Sequence, residues 1–133
     1  MPLSAGRNTF EVRDGRTLIL PVKANVKIFE GSIVVIDSTG NAVPGKKATG
    51  LLSAGRAEEY VDNSGGTDGA KTIKVRRGVF KWSNDSTAPV TGKDILKNCY
   101  IVDDETVTIT ETGSSIAGKV IGLENGEVLV EIL

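Results

Sequence analysis

The chain contains no histidine, which removes Ser-His-Asp and Cys-His catalysis and every histidine-ligated metal centre from consideration. Its single cysteine, Cys99, has no partner for an internal disulfide. Set between Leu96 and Tyr100-Ile101-Val102, Cys99 reads as a small apolar filler rather than a reactive thiol. Aromatic residues are scarce, with one tryptophan, two tyrosines and three phenylalanines, so few large side chains can anchor a core or an interface. There is no apolar run of the roughly eighteen residues that a membrane helix needs. Met1–Arg7 also lacks the apolar core of a secretory signal, so the chain is expected to be made in the cytosol and to stay out of membranes. Neither sign of charge prevails: 16 basic against 17 acidic residues leave a net charge of -1. No global field draws the chain toward nucleic acid or anionic lipid.

What the sequence does have is turns and short apolar runs. Its 133 residues include 16 glycines, and the apolar share of 39% with 25% charged residues fits one folded body with a single core. The expectation is an all-β domain, a compact barrel or sandwich with little helix. Met1 to Asn8, with Pro2, Gly6 and no periodic pattern, reads as a flexible arm, and residues 9–133 as one β domain.

Strand signals follow in order. Thr9–Arg13 alternates, Asp14-Gly15 marks a turn and Thr17–Val22 forms a second run, predicting an opening hairpin whose second strand lies at an edge or ends at Pro21. Val26–Phe29 and Ser32–Asp37 flank Glu30-Gly31, and Ala48–Ser53 restarts apolar character. Glu58–Val61 fits a helical turn or a strand, with strand preferred. Asp62–Gly69 is an exposed loop. Lys71–Trp82 reads as one long strand disturbed by a bulge at Arg77-Gly78. Thr91-Gly-Lys-Asp94 resembles a capping box opening one short helix from Gly92 to about Asn98. Near the C-terminus, Asn125-Gly126 between Ser115–Gly122 and Glu127–Ile132 is the clearest hairpin.

The second half looks like a diverged copy of the first. In the overlay, Ile36-Asp37 falls on Val102-Asp103, Ala48-Thr49-Gly50 on Ile116-Ala117-Gly118, and Glu59-Tyr60-Val61 near Glu127-Val128. Two copies are too few for a solenoid, so they are expected to wrap one shared core.

Chemistry-bearing motifs are weak. Asp103-Asp104-Glu105 are neighbours in a turn and point different ways, unlike a catalytic carboxylate pair. Asp62, Asp68 and Asp85 lack calcium-loop spacing. Gly113–Gly118 precedes a strand, not a helix that could hold a phosphate. No catalytic residue, metal ligand or cofactor site is expected. Lys71, Lys74, Arg76, Arg77 and Lys81, interleaved with Phe80 and Trp82, are the one segment suited to single-stranded nucleic acid. That alternative is disfavoured by the balanced charge and by having only two aromatics. Phe80 and Trp82 are better read as core or subunit-interface residues.

Gly78-Val-Phe-Lys-Trp82, Asp94-Ile95, Cys99-Tyr-Ile-Val-Asp-Asp104, Ile116–Gly122 and the closing Val128–Ile132, in that order, resemble the small head decoration or cement proteins of tailed bacteriophages. The resemblance runs over roughly residues 17 to 132. The first copy departs from the pattern, because Ser32–Asp37 lacks the aromatic and the Asp62–Gly69 loop is longer. The resemblance implies a non-catalytic virion protein on the outer surface of the expanded capsid. It would bind the major capsid protein and stabilise the head, commonly as a homotrimer. On that reading Pro2, Leu3, Ser4, Ala5, Gly6, Arg7 and Asn8 contact the capsid, and Phe80, Trp82 or Tyr100 form subunit contacts.

Overall fold

The computed structural model describes residues 1–133 and is built almost wholly of strands. Short β-rich runs separated by glycine turns form β1 (Thr17–Pro21), β2 (Lys27–Ile28), β3 (Ile33–Ile36), β4 (Ala42–Pro44), β5 (Leu52–Ala57), β6 (Val61–Asp62) and β7 (Thr72–Arg76) in the first half. The second half holds β8 (Gly78–Asn84), β9 (Asn98–Ile101), β10 (Thr106–Thr108), β11 (Ile116–Glu124) and β12 (Glu127–Ile132). The two halves repeat one topology. The first is a five-stranded sheet in the order β1-β7-β5-β3-β4, and the second is a closed barrel in the order β8-β12-β11-β9-β10. A parallel pairing of β10 with β8 closes the second barrel. In the first half a parallel bridge between Val22 and Ala42 stands at the same place.

Strand registers make the repeat residue-specific. Val34 pairs with Gly55 across β3 and β5, as Cys99 pairs with Gly118 across β9 and β11. Leu18 pairs with Val75 as Phe80 pairs with Val130. Both β5 and β11 carry a bulge against their first partner, with Ala54 and Ala117 as the extra residues. The overlay drawn from sequence is therefore corrected. Gly55, not Gly50, matches Gly118, and the counterpart of Val128 is Ile73 in β7, beyond the Asp62–Gly69 loop. That loop and the small β2–β6 pair are additions to the first copy. In the second copy the corresponding connection is the Asn125-Gly126 turn, whose positive φ angles of 51° and 80° suit a two-residue hairpin.

Equivalent positions fill equivalent interiors. Val34, Ala54, Ala57, Ile73 and Val75 are buried in the first core, and Cys99, Ala117, Val120, Val128 and Val130 in the second. The expected single core is thus two, of 9 and 13 buried residues. They meet at β3, which is apolar on both faces: Val34 points into the first core, while Ile33 and Val35 join the second. Such a continuous apolar run is what a strand buried on both faces requires.

Three further expectations change. Thr9–Arg13 forms no strand, and residues 1–16 are exposed throughout. Only β1 of the expected hairpin exists, at the edge of its sheet and ending at Pro21. The helix is a single 3-10 turn, Gly92–Asp94, in which the Asp94 carboxylate accepts the Thr91 N–H at 2.8 Å. Lys71–Trp82 is not one strand. The irregularity at Arg77-Gly78 is where the chain leaves the first sheet and enters the second barrel.

Candidate interaction surfaces

The arm is the first candidate. It joins the body where the Arg77 N–H donates to the Arg16 carbonyl at 2.7 Å, and Asp14 accepts the Arg16 N–H at 2.8 Å. Beyond that point Pro2–Asn8 and the residues after them lie exposed. Leu3, Phe10 and Val12 are 73%, 80% and 86% exposed, so they have no apolar partner in their own chain. Isolated exposed apolar residues are ordinary, but four of them, Met1 included, in a segment without strands or helices is a surface that lacks its cover.

The basic segment is divided by the fold. Lys71, Lys74 and Arg76 belong to the first sheet and its edge, whereas Phe80, Lys81 and Trp82 belong to the second barrel. Trp82 is buried at 4% exposure, edge-on to Phe80 with ring centroids 6.2 Å apart. It is therefore a core residue of its own chain rather than an open subunit contact, and it cannot stack on a base. Phe80 is half-buried, and the Arg56 guanidinium lies 4.6 Å from its ring centroid, tying the first sheet to the second barrel. Lys71 donates to the Asp62 carbonyl at 2.8 Å, and Lys81 pairs with Glu124 at 3.4 Å. Phe80 and Trp82 thus offer no aromatic platform beside the basic residues.

Tyr100 is half-buried in the largest cleft, about 610 Å³, between the turn before β5 and strands β9 and β11. Ile36, Leu52 and Ile116 supply apolar walls, while Arg77 and Glu111 are its charged groups. Burial raises the Tyr100 phenol above its ordinary value, and the Glu111 carboxylate adds to that shift. One wall is braced by Ser115, whose hydroxyl donates to the Ala48 carbonyl at 2.6 Å and accepts the Leu51 N–H at 3.0 Å. The cleft holds no nucleophile paired with a base.

Loop acids are engaged by backbone N–H groups. Asp62 accepts the Ser64 N–H at 2.9 Å, Asp68 the Ala24 N–H at 2.8 Å, and Asp85 the Thr87 N–H at 3.2 Å. Asp103 accepts the Glu105 N–H at 2.9 Å, just as Asp37 accepts the Thr39 N–H at 3.0 Å in the matching turn of the first half. No three acidic or cysteine side chains converge as a metal site. The Cys99 thiol is pushed up to about 12 by burial and donates to the Gly118 carbonyl at 3.6 Å, so it is a protonated core group at neutral pH.

Sequence reasoning missed one surface feature. Phe29 and Tyr60, 57% and 50% exposed, stack with centroids 5.4 Å apart. The pairing of Ile28 with Val61 brings them together. Only an aromatic beside the Glu30-Gly31 turn hinted at it.

No family model matches the chain, and no curated protein or solved structure does.

Proposed function

We propose that this chain is a capsid decoration protein of a tailed bacteriophage, which binds the outside of the expanded head and stabilises it without catalysis. The observation that carries the reading is the sixteen-residue exposed arm, apolar at Leu3, Phe10 and Val12, projecting from a sheet-and-barrel body whose own cores are already filled. The order of motifs, which resembles that of head decoration proteins, points to the major capsid protein as the partner.

In this mechanism Pro2–Asn8 becomes ordered against a strand or loop of the capsid protein, and Arg16, bonded to Arg77, anchors it to the body. Ordering the arm backbone costs roughly 1–2 kcal/mol per residue, against about 1.5–3 kcal/mol for burying a side chain such as Leu3. One arm therefore holds weakly. Oligomerisation of the decoration protein, with a trimer favoured, would present several arms to neighbouring capsid subunits and raise their effective concentration.

Sedimenting the protein with expanded empty heads tests this reading. The full chain is expected to pellet with the heads in a fixed ratio, whereas a chain lacking residues 2–8 stays in the supernatant with unchanged thermal unfolding. Full binding by the truncated chain would refute the assignment of the arm.

A further inference from the structure

Two exposed patches on this molecule are complementary. The first surrounds the Phe29–Tyr60 stack. The Gly31 N–H donates to the Ala57 carbonyl and the Ala57 N–H to the Ser32 carbonyl, both at 2.9 Å, which sets Glu30 beside Glu58. The Ile33 N–H donates to the Asp104 carbonyl at 2.8 Å, which brings the β9–β10 turn against the same place. Phe29, Glu30, Ser32, Asp104 and Glu105 then line one depression of about 480 Å³. The Ser32 hydroxyl on its wall is buried, with the residue 6% exposed, and has no hydrogen-bond partner. Arg56 pairs with Glu58, leaving Glu30, Asp104 and Glu105 without a salt bridge. Asp104 is raised by burial and by the neighbouring Asp103 charge, as expected of carboxylates crowded without a cation.

The second patch lies on the closed barrel, alongside β11. The Leu96 N–H donates to the Val120 carbonyl at 2.7 Å and the Val120 N–H to the Lys97 carbonyl at 2.9 Å, fixing residues 96 and 97 alongside β11. With Val120 buried, its neighbours Lys119 and Ile121 point outward beside Ile95, Leu96 and Lys97. Leu96 is 68% exposed although it holds a φ of +72°, a conformation costly for a branched side chain. Glycine would satisfy the backbone there without strain. Keeping a strained leucine in water is explained if its side chain has a use outside the monomer.

We propose that the acid-rimmed Phe29–Tyr60 patch of one copy receives the Leu96–Lys97 patch of a second copy, in a head-to-tail self-association of this chain. Leu96 and Ile95 cover the aromatic pair, while Lys97 and Lys119 meet Glu30, Asp104 and Glu105. Because the two patches share no residue, the contact is heterologous, and repetition gives a ring where the rotation closes. It makes no use of the arm, so it forms without a capsid.

Sedimentation velocity of the purified full chain, without capsids, tests it. The wild type is expected to associate with rising concentration, and added salt should weaken that association. Leu96→Gly should weaken it at least about tenfold, as for a central apolar anchor, while unfolding at the same or a higher temperature, which a merely structural leucine would not do. The double variant Asp104→Lys with Glu105→Lys and the single variant Lys97→Glu should each be monomeric alone. Mixed together, they should form a one-to-one dimer through their intact patches. A wild type that stays monomeric at high concentration would overturn the proposal, as would unchanged association of Leu96→Gly or a mixture that fails to pair. Arm deletion should leave this self-association intact, so failure of capsid binding and failure of this contact are read separately.

Discussion

Gly55 and Gly118 show how tightly single residues are specified. A Cβ at Gly55 would sit 2.2 Å from the Arg76 carbonyl oxygen, and one at Gly118 would sit 2.3 Å from that of Glu131, the equivalent strand residue. Each glycine lets its bulged strand approach the neighbouring backbone. Gly55→Ala and Gly118→Ala are each expected to cost about 1–3 kcal/mol, read by urea unfolding, as overpacked core sites do. By contrast Gly122→Ala meets nothing within 4 Å and should change little. Cys99 should resist alkylation in the native protein and react only as the chain opens, so its modification rate with iodoacetamide is expected to follow unfolding. The turn carboxylates set the acid response. Asp37 is held below its ordinary value by the Thr39 hydroxyl above all, with the Asn41 N–H and Lys23 adding to this against an opposing burial effect. Asp85 is lowered chiefly by the Thr87 N–H, and Asp94 chiefly by the Thr91 N–H. Groups depressed in the folded state contribute stability that is present above their unfolded values, near pH 4, and lost as pH falls through the lower folded values. Thermal melts should therefore hold steady near neutrality and fall progressively below about pH 4, and a protein more stable at pH 3 than at pH 7 would contradict this.

At the scale of elements, the strands that alternate or run apolar between glycine turns were readable from sequence: β1, β3, β7 and β12 lie within the runs that announced them, and β11 continues past Gly122 to Glu124. Thr9–Arg13 alternates equally well but forms no strand, leaving the β1 edge unpaired on that side, so alternation alone does not make a strand. The helix expected after Thr91 stops after a single turn, since Leu96 turns to positive φ and its N–H is taken by Val120. The repeat was legible from composition, but its register was not. It is set by the bulges at Ala54 and Ala117 and by the inserted β2–β6 pair, none of which leaves a periodic mark. Of the candidate interface residues, Trp82 went inward because β8 alternates about it, while the Phe29–Tyr60 pair depends on a long-range strand pairing invisible locally. Strands β3 and β4 both supply the two cores, β3 through Ile33 and Val35 on one face and Val34 on the other, β4 through Val43 and Ala42. Ile33→Ala should cost about 2–5 kcal/mol by denaturant unfolding, with loss of packing in the second core although the residue belongs to the first sheet.

For the whole molecule, a five-stranded sheet and a closed barrel of matching strand order meet where β3 and β4 send side chains into both cores, and they are further tied by Arg56 over Phe80 and by Ser115 to Ala48. Their unfolding should accordingly be one cooperative transition, with the van't Hoff and calorimetric enthalpies equal. Two separated transitions would mean that β3 does not couple the cores. In a body with filled cores the arm's apolar side chains lack cover within their own chain, and on this account the arm is the part that a capsid orders. Hydrogen exchange of the full chain, free and bound to expanded heads, reads that claim directly. The account predicts amides of residues 3–8 exchanging at unprotected rates in the free protein and becoming protected on the head. Equal, unprotected exchange of those residues in a stoichiometrically bound sample would contradict it.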